Sequence, residues 1–118
     1  MVISENRQRA VNRNRFSSAG WMNVMTTDSE IFAEACQEFL SHLCYTQGYR
    51  PSTGYAYHSD LKQWAHWLAE HDHPWDRVRL REVEQFITWQ LRERGISVAL
   101  VNRRLSALSH FYRWAMKQ

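Results

Sequence analysis

Proline occurs twice and glycine four times in this 118-residue chain, too few for the turns of a many-stranded sandwich or barrel. No apolar run approaches the ~18 residues that a membrane-spanning helix requires, so a membrane partner is not expected. Cysteine is scarce as well. Cys36 and Cys44 stand eight apart with no secretory leader before them, which excludes a disulfide scaffold and points to two reduced thiols in a cytoplasmic protein. Charge of one sign is also modest: 15 Lys and Arg against 12 Asp and Glu leave +3. That total does not by itself argue for a nucleic-acid partner, because phosphate binding depends on how Lys and Arg cluster. One local absence stands out. From Ser97 to Gln118 there is no Asp or Glu at all.

What is present argues for a packed core: 44% hydrophobic residues, 14% aromatic, and six tryptophans. Residues 1–28 do not join it. They carry Arg7, Arg9, Arg13 and Arg15 against Glu5 and Asp28, with a Ser17–Gly20 stretch and neither helical nor strand period. They read as a disordered basic leader, and residues 29–118 as one domain.

Start and stop signals divide that domain into four helices. Asp28 and Ser29 are N-cap candidates for the first, in which Ile31, Phe32, Ala35, Cys36, Phe39, Leu40, Leu43 and Cys44 recur at helical spacing before Gly48. Here the cysteines read as small core hydrophobes. Pro51 bars a helix entering from the left, Ser52 can cap, and Tyr57, Leu61, Trp64 and Leu68 share one face of a second helix reaching about Glu70. His71 and His73 supply only two metal ligands, so the segment from His71 to Asp76 is read as a turn and neither metal nor cofactor is expected. A third helix spans about Leu80 to Arg94, with Val83, Phe86, Ile87, Gln90 and Leu91 inward and Gly95 as its stop. Ser97 can cap the fourth, whose seam is Val98, Val101, Leu105, Leu108, Tyr112 and Ala115.

The opposite side of that last helix carries Asn102, Arg103, Ser106, His110, Arg113 and Lys117, flanked by Arg104. Nearly all are hydrogen-bond donors. On a helix whose other face is committed to a core, they form a positive ridge about 20 Å long, for which phosphates are the natural counterpart. Thr53, His58 and Lys62 add a hydroxyl and two donors on the second helix.

Three stretches carry a resemblance: Phe39-Leu40 ahead of Gly48 and Tyr49; Ser52-Thr53 followed by Tyr57, Asp60 and Leu61; and the run from Arg103 to Tyr112. In this order they resemble the N-terminal core-binding domain of tyrosine recombinases, the phage-integrase and Xer-like family. The resemblance implies an all-α, SAM-like orthogonal bundle of four to five helices that closes over one side of a DNA duplex, with the second and fourth helices along the DNA. It places Thr53, Tyr57 and Lys62 near phosphates from one helix, and Arg103, Arg104 and His110 from the other. Tyr57 also belongs to an apolar stripe, so its ring is open to core packing with only the hydroxyl outward. Where the family often has a basic residue this chain has Ser109, leaving His110 and Arg113 to supply the local charge. Arg103 or Arg104 is the candidate for a base-edge contact.

The family's nucleophilic Tyr and its Arg, Lys and His partners belong to a following catalytic domain. None of their motifs occurs before Gln118, nor does a glycine-rich phosphate loop or a Ser-His-Asp set, so the expected activity is binding without strand cleavage. Expected partners are double-stranded DNA, that catalytic domain, and other protomers on the DNA. The competing reading is a helical protein-interaction module without direct DNA contact, prompted by Trp67, Trp89 and Trp114, which do not all fit the inward stripes.

Overall fold

The computed structural model describes residues 28–118, so the expectation for the leader falls outside the described residues except for Asp28, which opens the first helix. Four helices follow one another: α1 (Asp28–Ser41), α2 (Pro51–Glu70), α3 (Leu80–Thr88) and α4 (Val98–Ala115). No strand occurs among the described residues. This is the all-α class expected.

α1 and α3 end by the same device. Each widens into a π-helical turn, His42–Thr46 and Trp89–Glu93, closed by N–H groups of Gln47 and Arg94 reaching back five residues to the carbonyls of His42 and Trp89. Gly48 (φ 70°) and Gly95 (φ 62°) then reverse the chain in the left-handed region that side chains avoid. The next N–H groups, of Tyr49 and Ile96, cap the carbonyls of Leu43 and Gln90 at 3.0 Å each. Both glycine stops therefore act as the sequence suggests.

The helix starts are less uniform. Ser97 caps α4, its hydroxyl oxygen accepting from the Leu100 N–H at 3.2 Å. Ser52 does not cap α2: the helix begins one residue earlier, with Pro51 in its first turn and Arg50 extended before it. At α3 the Glu82 carboxylate accepts from the Arg79 N–H at 2.8 Å, half of a capping box. It also pairs with Arg81 at 3.0 Å and His73 at 3.3 Å.

The core is aromatic. Phe111 of α4 meets Phe39 and Phe32 of α1 edge to face at 5.5 and 5.4 Å, and Trp64 stacks on Trp67 along α2 at 5.4 Å. Trp75, in a 3-10 turn (Trp75–Arg77) between α2 and α3, is also fully buried, as is Val78. A buried relay ties this turn to two helices: Trp64 Nε1 donates to the Tyr112 hydroxyl at 3.0 Å, and that hydroxyl donates to the Trp75 carbonyl at 2.6 Å. Burial pushes the Tyr112 phenol far above its ordinary pKa, so it stays protonated. At Gly54, α2 lies so close to the end of α1 that a Cβ there would meet Cys44 Sγ at 3.1 Å. Cys36 is buried and Cys44 half-buried, both as free thiols.

α4 is rotated from its expected setting. Val98 is 64% exposed and Leu105 half-buried, while Ala107 and Phe111 are fully buried beside Val101, Leu108, Tyr112 and Ala115. At about 100° per residue the buried arc is centred roughly 50° from the sequence-derived seam. The bulk of Phe111 decides this, because its ring fills the space between Phe32 and Phe39. In the π-helical turn after α3, Leu91 proves exposed while Gln90 is fully buried.

Candidate nucleic-acid interface

The rotation of α4 sorts its polar residues into two groups. Asn102, Arg103, Ser106, Ser109, Arg113 and Lys117 remain exposed. Arg104 turns inward, its side chain only 11% exposed. The stripe from Arg103 to Lys117 thus keeps three cations over about 21 Å, with Arg104 no longer flanking it.

Asp60 is the reason both arginines are partnered. It lies on the inward side of α2, one turn from Trp64, with its side chain fully buried. Arg103 grips it with two bonds, Nε to Oδ2 at 3.0 Å and Nη2 to Oδ1 at 2.6 Å. Arg104 Nε stands 3.8 Å from Oδ1, within Coulomb range but too far for a hydrogen bond, while its Nη1 donates to Gln90 Oε1 at 2.8 Å. α2, α4 and the end of α3 are thereby joined through one buried polar network. The α4 surface is free of its own acids, but its first two arginines meet a carboxylate from the neighbouring helix. Asp60 hydrogen bonding raises the Arg103 pKa, and burial lowers that of Arg104. Two guanidinium groups facing one carboxylate leave one net positive charge.

Farther along, α4 and the start of α2 enclose a shallow cleft of about 560 Å³, lined by Tyr49, Tyr57, Leu105, Ser106, Ser109, His110 and Arg113. Tyr57 lies parallel to Phe39 at 6.5 Å, so its ring packs on the core from the cleft side. His110 is wedged edge-on against Phe39, Tyr49 and Tyr57 at 5.5 to 5.9 Å. Arg113 Nη2 donates to Ser109 Oγ at 2.9 Å, so the serine standing where the family often has a base orients the arginine one turn on. Burial, with Arg113 and His42 nearby, holds the His110 pKa below its ordinary value. Burial, Tyr49 and Asp60 push the Tyr57 phenol up. That is the reverse of what an attacking phenolate needs. The cleft offers neutral donors and one cation, a chemistry suited to holding a phosphodiester.

The structure brings Tyr57, Ser106, His110 and Arg113 together and leaves the other expected residues apart. Thr53 is half-buried in the first turn of α2; His58 and Lys62 are exposed but do not line the cleft; Lys117 lies just past the end of α4. Asp60, Tyr49, Ser109 and Gln90 were not among the expected site residues. A signal for Asp60 existed: a carboxylate on the stripe of Tyr57 and Trp64 requires a buried cation.

The other singled-out residues serve the fold. Trp67 is fully buried, and Trp89 and Trp114 are half-buried against the core, so no exposed aromatic surface arises at these positions. His71 Nδ1 meets the Trp67 carbonyl at 2.8 Å, and His73 Nδ1 the Pro74 carbonyl at 2.9 Å. Among the described residues no group of three metal-ligating side chains occurs, and no helix is long and apolar enough to cross a membrane.

Residues 36–118 match the family model of the phage integrase N-terminal SAM-like domain. The chain is 31% identical over 88 residues to a protein named tyrosine recombinase XerD from Bifidobacterium longum (strain NCC 2705), a match covering 74% of this chain and 28% of that protein. No solved structure matches it. A helical bundle with the family's pattern running from α1 to its last residue belongs to the N-terminal SAM-like domains of phage integrases.

Proposed function

We propose that this chain is a DNA-binding module of a site-specific tyrosine recombinase, docking on duplex DNA with the outward stripe of α4 and the cleft that α4 forms with α2. The observation that carries this reading is the stripe Arg103, Ser106, His110 and Arg113, which bears hydrogen-bond donors and no acid of its own and is held rigid because the other side of the same helix is buried, with Lys117 just past its end. A backbone phosphate would sit in the cleft against Arg113, Ser106 and the Tyr49 and Tyr57 hydroxyls, with Lys62 attracting the strand from α2. Arg103 keeps one outward edge for phosphate or base. Arg104 does not take part; it braces the helices.

Strand cleavage and rejoining would be the work of the remainder of such a recombinase, to which a match over 28% of the relative's length does not extend. The partners of the module would be duplex DNA, that catalytic portion, and neighbouring protomers on the same site.

The test is a salt series of fluorescence anisotropy titrations with labelled duplex. Three to four exposed cations on the docking side predict a slope of log K against log salt of roughly −3 to −4. Changing Arg113 and Lys117 together to Ala should flatten that slope by roughly 2 and leave the helical circular dichroism unchanged. Binding that ignores salt, or a double variant that binds as tightly as the parent, refutes the docking surface.

A further inference from the structure

Asp60 is a puzzle on a surface meant for phosphate, because a carboxylate there repels what the arginines attract. Arg104 donates no hydrogen bond to it, having Gln90 for its Nη1, and draws on Asp60 only as a counter-charge at 3.8 Å. Nor does it simply cancel Arg103, whose side chain remains 48% exposed with the carboxylate fully enclosed beneath it. The two bonds to Asp60 engage Nε and Nη2, one edge of the planar guanidinium, and leave Nη1 on the opposite edge. A long side chain that ordinarily samples many rotamers is therefore fixed before any ligand arrives. Fixing it in advance removes an ordering cost from the binding step.

We infer that Asp60 is a positioning residue for DNA binding: its buried carboxylate clamps one edge of the Arg103 guanidinium so that the other edge is presented outward to a phosphate, while Arg104 balances the carboxylate's charge. This deepens the DNA-binding reading and rests on it. It makes a prediction of unusual sign. Asp60→Asn adds one positive charge to the docking surface, which by charge alone must tighten DNA binding; loss of the clamp must weaken it.

The experiment measures the affinity of the chain for a fluorescently labelled duplex at low salt, with circular dichroism and thermal melting of every variant. Asp60→Asn is expected to weaken binding about fivefold despite the added charge, and Arg103→Ala by about five- to tenfold. Arg103→Lys, which keeps the charge but cannot reproduce the two-pronged grip, is expected to lose as much as Arg103→Ala. If Asp60→Asn does not fold, the Arg103 pair decides, since that side chain is half exposed. Tighter or unchanged binding by folded Asp60→Asn, or parental affinity in Arg103→Lys, overturns the clamp and leaves the docking surface standing. A parent chain that binds no duplex at low salt overturns the DNA-binding reading, and the clamp with it.

Discussion

Replacing Tyr112 by Phe removes a single oxygen from the centre of the bundle. That oxygen accepts from Trp64 Nε1 and donates to the Trp75 carbonyl, and no part of the Tyr112 side chain reaches solvent. The substitution therefore strands one donor and one acceptor in a dry interior, each costing about 1–3 kcal/mol. Relief from burying the hydroxyl itself returns part of this, so the net loss is set at about 2–4 kcal/mol. For a domain of this size 1 kcal/mol moves the melting temperature by about 4–8 °C, which places the expected drop at roughly 8–32 °C. Urea unfolding followed by far-ultraviolet circular dichroism provides the check, with an unchanged m-value required if only stability has changed. Duplex affinity of the folded variant should stay at the parental level, because Tyr112 is on the buried side of α4. A loss below about 0.5 kcal/mol would mean the relay contributes nothing net and would refute the reasoning.

Glu82 sets an acid limit on stability. Burial works against its charge, but the Arg79 N–H, Arg81 and His73 outweigh that and hold its pKa below the usual value, so its contribution is complete above the unfolded carboxylate range and is lost as pH falls from there through the lower folded value. Glu82→Gln should cost about 1–2 kcal/mol at neutral pH in urea unfolding, a deficit that shrinks below pH ~4. Asp28 and Asp76 act in the opposite direction: burial raises both, so Asp76→Asn should be neutral or stabilising at neutral pH. His110 is held below its ordinary pKa in the free chain, and a phosphate in the cleft would raise it; docking then takes up a proton and duplex affinity should grow as pH falls from neutral into the acid range, a trend His110→Gln should flatten in anisotropy titrations. Gly54→Ala gains helix propensity but meets Cys44 Sγ, so the substitution should stabilise by about 1 kcal/mol only when Cys44 is also changed to Ala, a double-mutant cycle readable by thermal melting.

Much of the bundle was legible because punctuation is local. Gly48, Gly95 and Ser97 act on their own neighbours, and they end or begin helices where the sequence indicates. Periodicity was a weaker guide, since it gives the spacing of a buried stripe and not its phase. In α4 two stripes compete, one through Val98 and Leu105, the other through Ala107 and Phe111. A ring large enough to fill the gap between Phe32 and Phe39 selects the second. That choice carries Arg104 inside and pairs Arg103 with Asp60 from a helix 43 residues away. Such a long-range ion pair leaves no trace in spacing along one helix. Trp75 and Val78 were hidden for a related reason: they lie in a short connection without period, yet both are buried, Trp75 against Phe32 of α1 and Phe111 of α4. The cleft residues Tyr57, His110 and Arg113 were individually legible; that Tyr49 and Ser109 complete their surroundings required the packing angle of two helices.

The stacked indoles of Trp64 and Trp67, 7° from parallel and shut away from water, have an optical consequence. Two chromophores locked at fixed mutual orientation couple their transitions and give signed bands in near-ultraviolet circular dichroism that vanish when the rings tumble freely. They lie on the buried side of α2, away from the α4 stripe. Loss of those bands therefore registers melting of the bundle, while a nucleic acid arriving on the stripe leaves them in place.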